Sequence, residues 1–191
     1  MYDDAVRTAT LAESGKWLCS PVLPSTHRIA SNLCSHAVSL ALTSPIESPT
    51  LVLDTNVVLD WLLFRNPSCH ALNAALVAGD VRWIASAAMR EELAHVLARG
   101  DLNKWQPDLA ALWTRWDQLC TEVPAAPPLG AAAALRCSDP DDQKFIDLAV
   151  SCKARWLLSH DRAVQRLTRR LRERGITVTT PAAWSIPNSS L

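Results

Sequence analysis

The chain has 191 residues, with 19 Lys and Arg against 19 Asp and Glu, so its formal net charge is zero. That balance excludes a nucleic-acid binder working by bulk attraction, and any such site has to be local. The length suits one domain with some extra sequence, and 49% hydrophobic residues suffice for a sizeable core.

The six cysteines are Cys19, Cys34, Cys69, Cys120, Cys137 and Cys152. No two form a Cys-x-x-Cys pair, which argues against zinc. The acidic start Met1-Tyr2-Asp3-Asp4 is unlike a signal peptide, and no apolar run reaches membrane-spanning length. Reduced thiols in a cytoplasmic protein, most of them small core residues, are the expectation.

Residues 1–49 are rich in Ser and Thr and show no strong period. His36 to Thr43 fits either a short helix or a short strand. The stretch from Ser44 to Pro49 has linker composition. This part is expected to be a poorly packed N-terminal extension, with the domain in residues 50–184 and a short tail in residues 185–191.

From Thr50 the pattern changes. Leu51-Val52-Leu53, ending at Asp54, reads as a buried strand. Val57 to Phe64 and Cys69 to Ala78 read as helices, the second stopped by Gly79. Val81 to Ala85 reads as a strand. Ser86 is placed to cap a helix to Arg99, with Gly100 ending it. Leu109 to Glu122 reads as a helix and Val123 as the start of a short strand, before the break from Pro124 to Pro128. Asp139-Pro140 opens a helix reaching about Ala154. Trp156 to Ser159 is a strand, Arg162 to Arg174 a helix stopped by Gly175, and Ile176 to Thr180 a last strand. Pro181 to Trp184 makes a closing turn. Strands alternating with helices imply a parallel sheet covered on both faces.

In such a sheet ligands sit at the carboxyl ends of strands, where Asp54 and Asp161 fall. Glu92 shares the face of Met89 and Val96, whereas Glu91 turns outward. Asp142 shares the face of Phe145 and Ile146; Asp141 and Asp147 are less well placed. Four converging carboxylates repel unless a positive charge sits among them. All-oxygen acidic sites suit Mg²⁺ or Mn²⁺, which activate water and stabilise charge on a phosphodiester. Singly, each acid also has an ordinary reading. Asp54 would cap the turn after the first strand and Asp161 the helix from Arg162. Glu92 would be solvated, and Asp142 would offset a helix dipole.

The run Leu51-Val52-Leu53-Asp54-Thr55-Asn56-Val57 resembles the opening strand of PIN domains. Ser86 with Glu92-Leu93 resembles their acid-bearing helix. Asp139-Pro140-Asp141-Asp142-Gln143-Lys144-Phe145 resembles the third motif of the toxin–antitoxin branch, and Leu157-Leu158-Ser159-His160-Asp161-Arg162 the fourth. Order and spacing agree across nearly all of residues 50–184. The resemblance implies a three-layer α/β/α sandwich with a parallel sheet of about five strands. It also implies a Mg²⁺- or Mn²⁺-dependent endoribonuclease that leaves 3′-hydroxyl and 5′-phosphate ends, and that is often a toxin held by a small antitoxin protein. Asp54, Glu92, Asp142 and Asp161 fall on the acidic, metal-holding positions, and Asn56 and Ser159 on polar positions beside them. Three departures stand out. Gln143 occupies a place where related branches often carry another acid, His160 occupies a variable one, and residues 1–49 have no counterpart.

Arg162, Arg166 and Arg169 would share one face of the last long helix, either contacting RNA phosphates or forming a solvated basic face. Trp113 and Trp116 suit a core or a dimer interface, and Trp61 a partner groove. The cluster Trp61-Leu62-Leu63-Phe64 exceeds what one helix face buries, so a homodimer or a complex with a small protein is expected. His95 and His160 could assist catalysis or bind metal, but an ordinary structural role is preferred for both, and no Gly-rich phosphate loop is present. Two rival functions remain: a non-catalytic binding module on the same fold, and a phosphohydrolase of small phosphate esters. The latter lacks the second Asp that a phosphoaspartate motif needs after Asp54-Thr55.

Overall fold

The first strand, β1 (Thr50–Leu53), is buried almost throughout and lies at the centre of a five-stranded sheet. In the computed structural model, which describes residues 48–129 and 135–186, the strand order is β3-β2-β1-β4-β5 and every pairing is parallel. The other strands are β2 (Arg82–Ala85), β3 (Cys120–Glu122), β4 (Trp156–Leu158) and β5 (Thr177–Thr179). Helices α1 (Thr55–Leu62), α2 (His70–Ala78), α3 (Ala87–Ala98), α4 (Leu109–Leu119) and α5 (Gln143–Ser151) connect them, and the short α6 (Arg162–Gln165) and α7 (Thr168–Arg172) come after β4. This is the α/β architecture with a parallel sheet of five strands that the sequence implies. The described residues belong to one compact unit, Thr43–Leu191. The expected extension of residues 1–49 lies outside the described residues up to residue 47, as does the tail from residue 187.

Strand order runs outward from β1 in one direction through β2 and β3, and in the other through β4 and β5. The connections therefore reverse at β1, and such a switch point opens a crevice at the carboxyl ends of the strands. The register brings Leu53 beside Leu158, and the Asp54 amide donates to the Leu158 carbonyl at 3.0 Å. Asp54 and the segment after β4 are thus held side by side although more than a hundred positions separate them. At the other end of β1, the Ser48 hydroxyl donates to the Gly79 carbonyl at 2.7 Å, and Arg82 N–H to the Pro49 carbonyl at 3.0 Å.

Four boundaries differ from the sequence reading, each for a local reason. Helix α1 begins at Thr55, because the Asp54 carboxylate caps it by accepting from Asn56 N–H at 3.3 Å. Helix α4 ends at Leu119, and Cys120–Glu122 pair with β2 as a strand, completing the sheet edge that Trp83, Ile84 and Ala85 present. Helix α5 starts at Gln143 rather than near Pro140. Asp139 Oδ1 accepts from Asp141 N–H at 2.9 Å, and this side-chain turn competes with helix formation. The long arginine-rich helix is two short ones, α6 and α7, with the Thr168 hydroxyl bonded back to the Gln165 carbonyl at 2.6 Å.

Tryptophans fill the layer beneath β2. Trp83 is fully buried and meets Trp61 edge-on at 5.7 Å and Trp116 at 4.6 Å; Trp113 lies 6.0 Å from Trp116. Trp61, read above as a partner-groove residue, is 7% exposed, and its indole N–H donates to Asn73 Oδ1 at 3.1 Å. It packs as core. The surplus apolar surface lies further along, where half-exposed Phe64 and Trp105 stack edge-on at 5.0 Å. No helix among the described residues is long and apolar enough to cross a membrane.

Candidate functional site

Asp54 follows β1 and is nearly fully buried, at 2% exposed. Both its oxygens are held, Oδ1 by Asn56 N–H and Oδ2 by the Ser159 hydroxyl at 2.7 Å. Ser159 is itself fully buried at the end of β4, and its oxygen accepts from Asp161 N–H at 2.9 Å. One hydroxyl therefore ties the first and last acids of the set together. Asp161 caps α6, accepting from Ala163 N–H at 2.5 Å. The ordinary capping reading of Asp54 and Asp161 holds, and both still border the crevice. Asn56 contributes its backbone N–H here, and its exposed side chain makes no hydrogen bond among the described residues.

Glu92 reaches the crevice from α3 and is half-buried, while Glu91 is exposed. Asp142 is half-buried at the N-terminal cap of α5, one position before the first turn expected for it, and Asp141 is exposed. Asp142 makes no capping bond, so its carboxylate is not spent on the helix. Its Oδ2 is buried and accepts no hydrogen bond. Glu92 Oε2 is also buried without one, although Lys144 Nζ lies 2.7 Å away. That contact is an ion pair, so Glu92 is charge-balanced by Lys144. Lys144 Nζ also donates to the Asp141 carbonyl.

Electrostatics join the four acids into one group. Burial pushes the Asp54 carboxyl above the usual range; the Ser159 and Asn56 hydrogen bonds pull it back, and Glu92 and Asp161 push it up. Asp142 is pushed up to about 7, by burial first and then by the charges of Asp54, Asp161, Asp139 and Glu92. Mutual repulsion of this kind marks candidate functional sites.

As the side chains stand, no group of three or more His, Cys, Asp or Glu among the described residues closes into a metal-binding set. The reason is visible in the bonds just described: oxygens of Asp54 and Asp161 are turned to protein donors, and Glu92 leans to Lys144. The donor chemistry nonetheless fits a hard divalent cation, since the four acids offer carboxylate oxygen and Asp142 Oδ2 is buried with no hydrogen-bond partner.

Gln143, at the position where an acid is common in related branches, turns away from this cluster. Its Oε1 accepts from Cys137 N–H at 2.7 Å, and its Nε2 donates to Asp147 Oδ1 at 2.7 Å and to the Leu135 carbonyl at 3.2 Å. Asp147, buried on α5, also accepts from Leu129 N–H at 3.3 Å. Gln143 and Asp147 therefore clamp the segment before α5 against that helix. Gln143→Ala should strand the Cys137 amide and leave Asp147 with Leu129 N–H alone, costing about 2 kcal/mol, or roughly 4–8 °C in melting midpoint. An unchanged midpoint would show that the clamp carries no stability.

Sequence reasoning missed Asp60, whose Oδ2 lies 2.9 Å from His160 Nε2 across the gap between α1 and the loop after β4. Its i+6 position from Asp54 offered no helical signal. His95 is exposed on α3. Arg162, Arg166 and Arg169 are all exposed, but the break between α6 and α7 denies them a continuous helical face. Cys69, Cys120, Cys137 and Cys152 are free thiols; burial raises Cys69 and Cys137 and lifts Cys120 to about 12, so those three are packing groups rather than nucleophiles, while Cys152 is exposed.

A parallel α/β sheet thus gathers one buried and three half-buried carboxylates near its switch point, where ligands of such sheets sit. The PIN-domain family model matches residues 50–163, more than half of the chain, and the chain belongs to that family, whose members are generally nucleases that use divalent metal ions. No curated protein matches it. A solved structure of VapBC2 from Rickettsia felis, bound to a DNA fragment from their promoter, is similar over 68% of this chain and 96% of that one, at 12% identity and a TM-score of 0.45.

Proposed function

We propose that the chain is a divalent-metal-dependent endoribonuclease whose centre is made by Asp54, Glu92, Asp142 and Asp161. The observation that carries this reading is the gathering of the four acids at one crevice, where Asp142, raised by burial first and then by the charges of Asp54, Asp161, Asp139 and Glu92, keeps a buried oxygen without a hydrogen-bond partner. Those four residues would hold Mg²⁺ or Mn²⁺. When bound, such an ion supplies the positive charge that eases water deprotonation and offsets charge building on a phosphodiester. The chain's own groups do the positioning. The Ser159 hydroxyl fixes Asp54 and, through its oxygen, the Asp161 backbone, so two strand ends keep one spacing. Lys144 balances Glu92 from the side of the third motif.

The same reading makes the chain a cytoplasmic toxin, paired with a small antitoxin protein and assembling as a homodimer. Supporting that reading is the exposed apolar rim of Phe64, Trp105 and Leu109, beside a groove of about 470 Å³. Residues 50–184 would be the nuclease unit.

The experiment is cleavage of a mixed RNA pool. Activity should disappear with chelator and return with excess Mg²⁺ or Mn²⁺. Cleavage that persists in chelator would overturn the mechanism. A chain that cuts no RNA but hydrolyses small phosphate esters would favour a phosphohydrolase.

A further inference from the structure

A second groove, of about 410 Å³, is walled by Arg136, Ser138, Ala163, Arg166, Arg169 and Arg170. Its walls carry four arginines and no carboxylate, in a chain whose net charge is zero. One wall is the extended segment before α5. There Leu135 and Cys137 are buried while Arg136 and Ser138 are exposed, the alternation that sends every second side chain outward. The other wall is α6 and α7, where the buried Val164, Leu167 and Leu171 hold the arginines out. Among the described residues, no carboxylate pairs with the guanidinium groups of Arg136, Arg166 or Arg169.

This groove abuts the acidic centre at Ala163, which lines it and donates its N–H to the Asp161 carboxylate. Cys137, between Arg136 and Ser138, has its thiol raised by burial first and then by the charges of Asp142, Asp139 and Asp161. We propose that the groove is a track for the phosphate backbone of single-stranded RNA, guiding it to the Asp54–Asp142–Asp161 cluster. The proposal rests on the nuclease reading above. A concave basic groove follows one backbone, whereas a duplex would touch only its rim. No aromatic side chain lines it, so it takes phosphates without reading bases. Arg162, grouped with Arg166 and Arg169 in the sequence reading, does not line it.

The test is binding of a fluorescent single-stranded RNA oligonucleotide to the full chain, with chelator present to stop cleavage, across a salt series. Three phosphate contacts on a single strand give a slope of about −2 in log K against log salt, or roughly a 20-fold loss between 50 and 200 mM. The triple variant R136A/R166A/R169A should bind at least about ten-fold more weakly at low salt and lose that part of the slope. The triple Arg→Lys variant should keep the slope, since charge remains. Arg99→Ala, on an exposed arginine elsewhere, is the control for net charge, and matched melting curves exclude unfolding. An unaltered slope in the alanine variant would overturn the track. Tighter binding of duplex DNA, lost in the same variant, would overturn its assignment to single-stranded RNA. Groove-dependent RNA binding by a chain that cuts no RNA would instead overturn the nuclease reading and leave the track standing.

Discussion

Asp54→Asn should reduce RNA cleavage on the order of 100-fold or more, while the fold survives. Asp54 is the acid that the others surround: it lies at the end of the central strand, raises Asp142, and is itself raised by Glu92 and Asp161. An amide keeps the side chain's size, and its oxygen still accepts from Asn56 N–H, but it removes the charge a cation would need. Glu92→Gln, Asp142→Asn and Asp161→Asn should each be similarly damaging. Asp141→Asn and Glu91→Gln should stay within about two-fold, because both side chains are exposed. Full activity in Asp54→Asn would sink the mechanism. Loss in Asp141→Asn with retention in Asp142→Asn would show that the third motif is used in a different register.

The same charges give a stability effect of opposite sign. Asp142 has a carboxyl raised to about 7 in the folded chain, against an ordinary value of 3.8. Between those values the folded state binds more protons than the unfolded one, so this group's contribution to metal-free stability falls as pH rises from about 4 to 7. Asp142→Asn imitates the protonated acid. In chelator at pH 8 it should be more stable than the parent by about 1–2 kcal/mol, a figure discounted for partial exposure, or roughly 3–6 °C. At pH 5 the two melting midpoints should converge. A variant that melts lower than the parent at pH 8 would mean that the carboxylate is not under repulsion.

Much of this was legible from periodicity. Leu51-Val52-Leu53 could only be a buried strand, and alternation of strands with helices forced the parallel sheet. Helical spacing separated Glu92 from Glu91, because the apolar neighbours Met89 and Leu93 fix the face. Where the reading slipped, a side chain had rerouted the backbone. Asp139 and Thr168 bond back to the main chain and shorten or split helices, competition that apolar periodicity does not register. Cys120–Glu122 became a strand because β2 needed a partner, which is tertiary information. Trp61 was read as a groove residue and does line one, but its burial against Trp83 and its bond to Asn73 depend on residues that the fold brings near it. Gln143 looked like a weakened ligand position. Its role as a clamp depends on Leu135, Cys137 and Asp147 all lying within reach, and spacing alone does not show that.

Whether the four carboxylates hold a divalent cation can be tested without the right RNA. The full chain is titrated with Mn²⁺, following loss of the free-ion paramagnetic resonance signal. Saturable binding is expected, weakened at least about ten-fold in Asp54→Asn and in Asp142→Asn and unchanged in Asp141→Asn. Binding in Asp54→Asn equal to that of the parent chain, or no saturable binding by the parent at millimolar Mn²⁺, would contradict it.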